Sequence, residues 1–529
     1  MATASVPRQA KKTRVAAIDI GSNSIRQIVA DISADGDIVV VDEMKAAPRL
    51  GADVEETRTL QPAAMDRALE TLERMATLAK QLGAERTETV ATSAVRDARN
   101  AELFLARVKQ QTGLRVRVLH GEEEARLCFR SALAHFELGV GHTVVMDIGG
   151  GSLELAASAD GVVEHLASLP LGALRLTERF LKKQTAKRVR ALRREVRRAI
   201  RPELRLRDWR HARLIGSGGT FTNLAGICLA RQGVQMARSV HGTTVARGEL
   251  EHVLDMLVAM TPEERATVPG LNAARADIIV AGLAAAAEVM ARLEAHDLTV
   301  SRYGIREGLL LEAARVAPTI ADPGEARERS VSDFASRCHY EAAHARNVRS
   351  LALALFDAIG PRLGCSSDDR RLLADAALLH DVGYHINYDR HHKHSYHLIL
   401  HAELLGMSPT DQVIVANVAR YHRGAPPRKK QRNFGPLEPE LRRRIKRLAA
   451  LLRVADGLDR GHVGAVAEVK VRWLRRAIRI TPVPAHPSQP MRLEIWGAQR
   501  KATLLEKLVG VPVEIVGGDG TVLSTANVE

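Results

Sequence analysis

The sequence predicts an α/β N-terminal half of two related lobes, then an all-α domain and a small α/β C-terminal domain. Three observations predict this. An apolar strand ending in aspartate and a Gly/Ser turn occurs twice, as Val15-Ala-Ala-Ile-Asp19-Ile-Gly-Ser-Asn-Ser24 and as Thr143-Val-Val-Met-Asp147-Ile-Gly-Gly-Gly-Ser152. Such a near-repeat suggests two lobes facing each other across a cleft. Strand signals then vanish between Ser330 and about Gly464, where helical spacing takes over, and short proline-flanked strands return from Ala467. A chain of 529 residues has room for about three or four domains. The expected boundaries are a basic tail at 1–13, lobe I at 14–130, lobe II at 131–316, a helical domain at 326–465 and the C-terminal domain at 466–529.

Within lobe I, Ile25–Ile32 and Ile38–Val41 read as strands after the first turn. Gln61–Leu82 carries Met65, Leu69, Leu72, Met75, Leu78 and Leu82 at three- and four-residue spacings, which predicts an amphipathic helix. Glu88–Ala91 is a strand, Asn100–Gln111 a helix and Leu114–Leu119 a strand. In lobe II the second turn leads to Leu153-Glu154-Leu155. Lys182–Arg213 is densely basic but keeps an apolar stripe at Val189, Leu192, Val196 and Ile200, so a helix with a cationic outer face is expected. Leu214-Ile-Gly-Ser-Gly-Gly-Thr220 is a strand entering a Gly-rich turn, and Ala284–Glu294 an Ala-rich helix. Lobe II closes around Arg315, and Ala317–Glu325, with two prolines and a glycine, reads as a linker.

Lys and Arg total 77 against 62 Asp and Glu, a net charge of +15, which favours a polyanionic partner. Aromatics are only 3%, too few for the stacking platforms of a single-strand nucleic-acid binder. Nucleic acid therefore rests on charge alone. Cys128, Cys228, Cys338 and Cys365 are scattered without a CxxC pair, as in a reducing cytoplasm. No apolar run suits a membrane span, and Met1–Arg14 lacks the apolar stretch of a signal peptide. A cytoplasmic protein that handles phosphate is the expectation.

The two Asp-Gly-Ser turns give that expectation a chemistry. Glycines let backbone N–H groups converge on an oxyanion, and Ser22, Asn23, Ser24 and Ser152 add donors. The carboxylate at each strand end can hold Mg²⁺ or order a water. Two such turns, with Gly216-Ser-Gly-Gly-Thr220, resemble the actin-like, RNase H-like (ASKHA) type of lobe found in actin, Hsp70 and sugar kinases.

Between the turns lie Ala91-Thr-Ser-Ala-Val-Arg96-Asp-Ala-Arg-Asn100 and Gly121-Glu-Glu-Glu-Ala-Arg126. In this order, ahead of Asp147-Ile-Gly-Gly-Gly-Ser-Leu-Glu154-Leu, they resemble the exopolyphosphatase/guanosine pentaphosphate phosphatase (Ppx/GppA) family from about residue 14 to 315, and less sharply to about 460. An actin-like ATPase or sugar kinase would share the turns but not Gly-Glu-Glu-Glu-Ala-Arg here. The resemblance implies Mg²⁺-dependent hydrolysis of a terminal phosphate from inorganic polyphosphate, with guanosine pentaphosphate as the alternative substrate and a homodimer as the assembly. A non-hydrolytic sensor of either ligand is the rival from another class. The family's catalytic base falls on Glu124, beside Glu122 and Glu123, and the sequence alone leaves open which of the three faces the cleft. Asp147 and Glu154 fall on the acidic positions around Mg²⁺. Ser22, Asn23 and Ser24, with Gly149, Gly150, Gly151 and Ser152, would cradle the terminal phosphoryl group. Arg96 and Arg275 match arginines that grip the phosphate chain, a task suited to a guanidinium fork.

The helical region holds His344, then His380-Asp381, then Asp456. This order resembles the HD phosphohydrolase fold, which implies a divalent metal such as Mn²⁺ or another transition metal. His394 and His422 are candidates for a second ion, while most histidines between His385 and His397 are expected in a solvated loop.

Overall fold

The computed structural model describes residues 12–33, 38–136, 138, 141–204, 209–234, 239–315, 323–402, 404, 406–487 and 489–517. The basic tail, apart from its last two residues, therefore lies outside the described residues, as do most of the expected linker and the last twelve positions of the chain. The described residues divide into two compact units, Met1–Cys228 with Ser239–Pro323 and Leu229–Arg238 with Gly324–Glu529.

The first unit contains two sheets of one design. In lobe I, β1 (Thr13–Ile20), β2 (Ile25–Ile32), β3 (Ile38–Ala46), β4 (Arg86–Ala91) and β5 (Val116–Val118) lie in the order β3-β2-β1-β4-β5. β1, β2 and β3 form an antiparallel meander, and β4 and β5 extend it in parallel from β1. In lobe II, β6 (His142–Ile148), β7 (Leu153–Ala159), β8 (Val162–Leu169), β9 (Arg213–Ser217), β10 (Thr244–Ala246) and β11 (Asp297–Val300) repeat it, with β8-β7-β6 antiparallel and β9 and β11 parallel beyond β6. β10 adds an antiparallel edge. β1 and β6 are buried along nearly their whole length, as expected for central strands covered on both faces.

Helices cover the sheets. α1 (Pro62–Gln81) turns Met65, Leu69, Leu72 and Met75 inward and packs with α2 (Ala101–Thr112). α3 (Gly121–His135) begins beside β5 yet packs on β6, β7 and β8 of lobe II. α4 (Ala186–Glu203) buries the predicted stripe Val189, Leu192, Val196 and Ile200 and points its arginines outward. α5 (Gly219–Arg231) follows β9, and α6 (Ile279–Arg292) is buried from Ile279 to Met290, the all-round apolar helix at the heart of lobe II. α7 (Ile305–Ala313) then returns to pack on β1, β2 and β4 of lobe I. These helices correct the expected division. A boundary at residue 130 cuts α3, and the segment before Arg315 covers lobe I rather than closing lobe II, so each sheet is finished by a helix from beyond the other's strands.

The second unit is helical, with α8 (Pro323–Arg337), α9 (Ala342–Ile359), α10 (Ser367–Leu379), α11 (His391–His401), α12 (Pro409–Arg420) and α13 (Pro439–Gly457). Pro323–Glu325, assigned to the linker by composition, opens α8: proline is tolerated in a first turn, where its missing N–H costs nothing. The expected solvated loop of histidines is largely helix α11. β12 (Val466–Trp473), β13 (Ile478–Pro484) and β14 (Val513–Ile515) form a three-stranded sheet with α14 (Arg492–Lys501) and α15 (Thr503–Val509). It is not separate from the helices: β12 packs on α9 and α14 on α13, where Gly457 and Gly497 let the backbones meet. No described helix is long and apolar enough to cross a membrane.

Candidate active site

The two Asp-Gly-Ser turns close by the same hydrogen bond. Gly21 N–H donates to Ser24 O at 3.2 Å, and Gly149 N–H donates to Ser152 O at 3.0 Å. The turns meet face to face: a Cβ on Gly150 would lie 3.0 Å from Asn23 N, and one on Gly151 would collide with Ser22 and Ser93. Only glycine allows this approach. Ser22 Oγ lies 2.9 Å from Ser93 Oγ, which ties in the Thr92-Ser-Ala-Val-Arg96 segment. Ser22, Asn23, Ser24 and Ser152 are all buried here.

Strand register then sets the charges. Asp19 on β1 stands opposite Arg26 on β2, and Asp147 on β6 opposite Glu154 on β7. Glu124 joins them from the first turn of α3, with Glu124 and Glu154 both 2% exposed. Burial distinguishes the three glutamates. Glu122 is exposed, and Glu123 accepts the His120 N–H at 2.8 Å as a helix cap, leaving Glu124 facing the junction.

Three buried carboxylates, Glu124, Asp147 and Glu154, and the partly exposed Asp19 shift one another at this place. Burial holds Glu124 well above its ordinary range, reinforced by the charge of Glu154 and opposed by Arg96. Burial, with Asp147 beside it, pushes Glu154 up to about 8. Asp19 is pushed by burial to about 6 against the pull of Arg26 and Arg306. Asp147 is raised by burial, although Ser217 Oγ donates to it at 2.9 Å and Cys128 Sγ at 3.5 Å. Ser168 Oγ donates to Glu154 at 3.0 Å. Asp19 Oδ1 and Asn23 Oδ1 are buried without a hydrogen-bond partner. An all-oxygen set with an orphaned carboxylate oxygen fits a hard cation such as Mg²⁺.

Both predicted arginines arrive here. Arg275 lies over Gly219, whose missing side chain leaves room for the guanidinium, and burial, with Arg26 nearby, lowers its pKa to about 10. Arg96 differs from expectation: its guanidinium donates to Glu124 Oε1 and, at 2.8 Å, to Leu119 O rather than standing free for a phosphate chain. The buried Glu124 carboxylate, brought in by α3, supplies the countercharge. Sequence reading assigned no role to Arg26, Ser168, Ser217, Cys128 or Arg175. The last bridges the lobes by ion pairs to Asp97 and, at 3.3 Å, to Glu55. Strand alternation opposite a motif carboxylate was the signal available for Arg26.

In the helical unit His344, His380, Asp381 and Asp456 also come together, all buried. Two sets of potential ligand atoms lie within 4.8 Å of one another, His344–His380–Asp381 and Asp381–His391–His422. His394 is not among them and is partly exposed; His391 takes the place expected for it.

The profile of the Ppx/GppA phosphatase family matches residues 28–316, and that of domain III of the same family matches 326–481. Over 412 residues, 77% of this chain and 80% of the relative, the sequence is 27% identical to the guanosine-5'-triphosphate,3'-diphosphate pyrophosphatase of Vibrio vulnificus. It is 32% identical to exopolyphosphatase 1 of Mycobacterium bovis over 56% of this chain and 87% of that one. Among solved structures, a Ppx/GppA family member from Aquifex aeolicus superposes with a TM-score of 0.50 at 31% identity, covering 58% of this chain and 98% of that one. An exopolyphosphatase from Cytophaga hutchinsonii superposes with a TM-score of 0.55 at 26% identity, covering 59% and 100%. With the paired turns, the buried glutamate and both arginines at one junction, the chain belongs to the Ppx/GppA phosphatase family, hydrolases of phosphoric anhydrides.

Proposed function

We propose that the protein is a Mg²⁺-dependent exopolyphosphatase, releasing orthophosphate from the end of inorganic polyphosphate. The observation that carries this reading is the burial of Glu124 among Asp19, Asp147 and Glu154 where the two glycine turns meet. Mg²⁺ held by Asp147 and Glu154 would neutralise charge on the phosphoryl oxygens. Ser22, Asn23 and Ser24, with Gly149–Ser152, would cradle the terminal phosphate through N–H and O–H donors. Arg275, and Arg96 once it exchanges Glu124 for substrate, would grip the next phosphates. That exchange would also free Glu124 as a base. The oxygen of a water attacks the terminal phosphorus, its proton passes to Glu124, and the anhydride P–O bond to the remaining chain breaks.

One feature favours a polymer: Lys187, Arg190, Arg194 and Arg201 are exposed along α4, an outer track for a long polyanion. The alternative, guanosine pentaphosphate, is favoured by the Vibrio vulnificus relative, whose alignment extends over 77% of this chain. Cysteines that form no disulfide among the described residues, three of the four buried, fit a cytoplasmic setting. Phosphate release from long-chain polyphosphate, guanosine pentaphosphate and ATP, measured side by side, tests the substrate. Glu124→Gln tests the base: turnover should fall by about 10²–10⁴ while polyphosphate affinity stays nearly intact. Wild-type turnover in Glu124→Gln would remove Glu124 from the mechanism.

A further inference from the structure

One face of α5 meets the segment that carries Arg275. Gly219, Asn223 and Gly226 stand on that face at i, i+4 and i+7. The chain from Gly270 to Arg275 runs back along them in the opposite direction. At the first position the bare Gly219 leaves room for the Arg275 guanidinium. At the last, a Cβ on Gly226 would collide with Gly270 O, and Gly270 holds a left-handed φ of 89°. Both end contacts need the absence of a side chain. The middle one needs a particular side chain.

Asn223 is 8% exposed, and its amide is used at both ends. Nδ2 donates to Gly219 O at 2.6 Å, and Oδ1 accepts the Asn272 N–H at 2.6 Å. A carbonyl only accepts and a backbone N–H only donates, so the amide orientation is fixed. Aspartate lacks the donor and leucine lacks both groups, so neither joins these two backbones. Asn272 passes the restraint on. Its Oδ1 accepts the Ala274 N–H at 3.0 Å and its backbone O accepts the Arg275 N–H at 2.9 Å, forming the short turn Ala273–Arg275. Asn272, Ala273 and Ala274 are exposed, whereas Arg275 is 7% exposed. The buried arginine therefore stands at the end of a surface segment with little packing of its own. The other anchors lie beyond it. Arg265, 1% exposed, donates to Ala276 O at 3.1 Å. Arg49 pairs with Asp277 at 2.8 Å, but both side chains are more than a third exposed, where an ion pair contributes little.

We propose that Asn223 is a positioning residue for the phosphate site: by joining Gly219 to Asn272 it sets the Arg275 guanidinium against the glycine turn at 216–220. What it fixes is the reach of Arg275 toward the phosphates behind the one released. This rests on the reading of Arg275 as a grip on the phosphate chain. A grip on phosphates that do not react acts equally before and in the transition state, so its loss raises KM rather than lowering kcat.

The test is steady-state hydrolysis of polyphosphate by the full-length protein and its variants Asn223→Leu, Arg275→Ala and the two combined. Asn223→Leu should raise KM about tenfold with kcat within about threefold. A misfolded fraction would do the reverse, lowering kcat and leaving KM unchanged. On an Arg275→Ala background, Asn223→Leu should change KM less than about twofold, because residues acting through one another are not additive. Hydrogen exchange reads the clamp without substrate. The amides of residues 272–275 should exchange about tenfold faster in Asn223→Leu, while those of β1 stay protected. If Asn223→Leu melts early, Asn223→Asp serves: it keeps the size and the Asn272 bond, loses the donor to Gly219 O, and should raise KM in the same direction. Unchanged exchange, or an equal rise in KM on both backgrounds, overturns the positioning role and leaves the grip of Arg275 standing. A wild-type KM in Arg275→Ala removes the grip itself, and the proposal with it.

Discussion

The hairpins β1–β2 and β6–β7 share a fold and differ in the charge that faces the aspartate. Each ends in aspartate, turns through glycine, closes by a Gly N–H to Ser O bond and returns as a strand. The residue facing the aspartate is Arg26 in the first and Glu154 in the second. Asp19 has a countercharge in Arg26, although its Oδ1 stays without a hydrogen-bond partner and burial still raises it to about 6. Asp147 faces a second carboxylate instead, and Glu154 is raised to about 8. In the proposed mechanism the two hairpins therefore divide the work: the first would offer donors and a guanidinium to an anion, and the second would gather carboxylates for Mg²⁺.

Exchanging the charges should separate the two hairpins most. Glu154→Gln should weaken Mg²⁺ affinity by about 10²-fold, whereas Arg26→Gln should leave it within about threefold and raise KM for polyphosphate instead. Mg²⁺ titration of both variants checks this, and equal effects on Mg²⁺ would erase the distinction. A smaller effect, on the order of tenfold, is expected from salt. Long polyphosphate should lose affinity more steeply than short chains as ionic strength rises, because it reaches arginines outside the hairpins. Equal slopes would confine recognition to the turns.

Smaller again is a stability effect with a definite sign. Without metal, the native state keeps a proton on Glu154 that the unfolded chain releases above its ordinary pKa of 4.5. The native state then binds more protons than the unfolded state, so stability falls as pH rises from about 4.5 to about 8 and levels beyond. Melting temperatures at about pH 5 and about pH 8.5, with and without Mg²⁺, should show this loss and its reversal by the metal. Glu154→Gln should flatten the slope. The least change is expected from Ser217→Ala, which removes one donor to Asp147 and should cost about 1–2 kcal/mol of stability, read from denaturant midpoints.

What the sequence disclosed follows from range. The two turns were legible because Asp, Gly and Ser act over a few residues, and the same holds for α1 and the stripe of α4. The glutamate register was not, since all three glutamates suit a first helical turn and only packing against β6–β8 selects Glu124. Arg96 carried its motif, but its engagement with Glu124 depends on where α3 lands. His391 and His394 sit in one histidine run. Choosing between them requires the phase of α11, which begins after Arg390 in a left-handed conformation at φ 55°. Composition also separated β12–β14 from the helices, because it does not report that α14 lies on α13.

The exchange of α3 and α7 between the lobes has a consequence for synthesis. The lobe I sheet is complete in strands by Val118, but the helix that lies on β1, β2 and β4 spans Ile305–Ala313. A nascent chain emerging from the ribosome must therefore hold that apolar surface uncovered while all of lobe II is made, on the order of ten seconds or more at bacterial elongation rates. The ten residues Val15, Ala17, Ile28, Ala30, Ile32, Val90, Leu119, Leu309, Leu310 and Leu311 belong to one cluster, so the last three arrive as a late closing piece. Chains truncated before Ile305 should be captured by chaperones, whereas chains extended past Ala313 should be released.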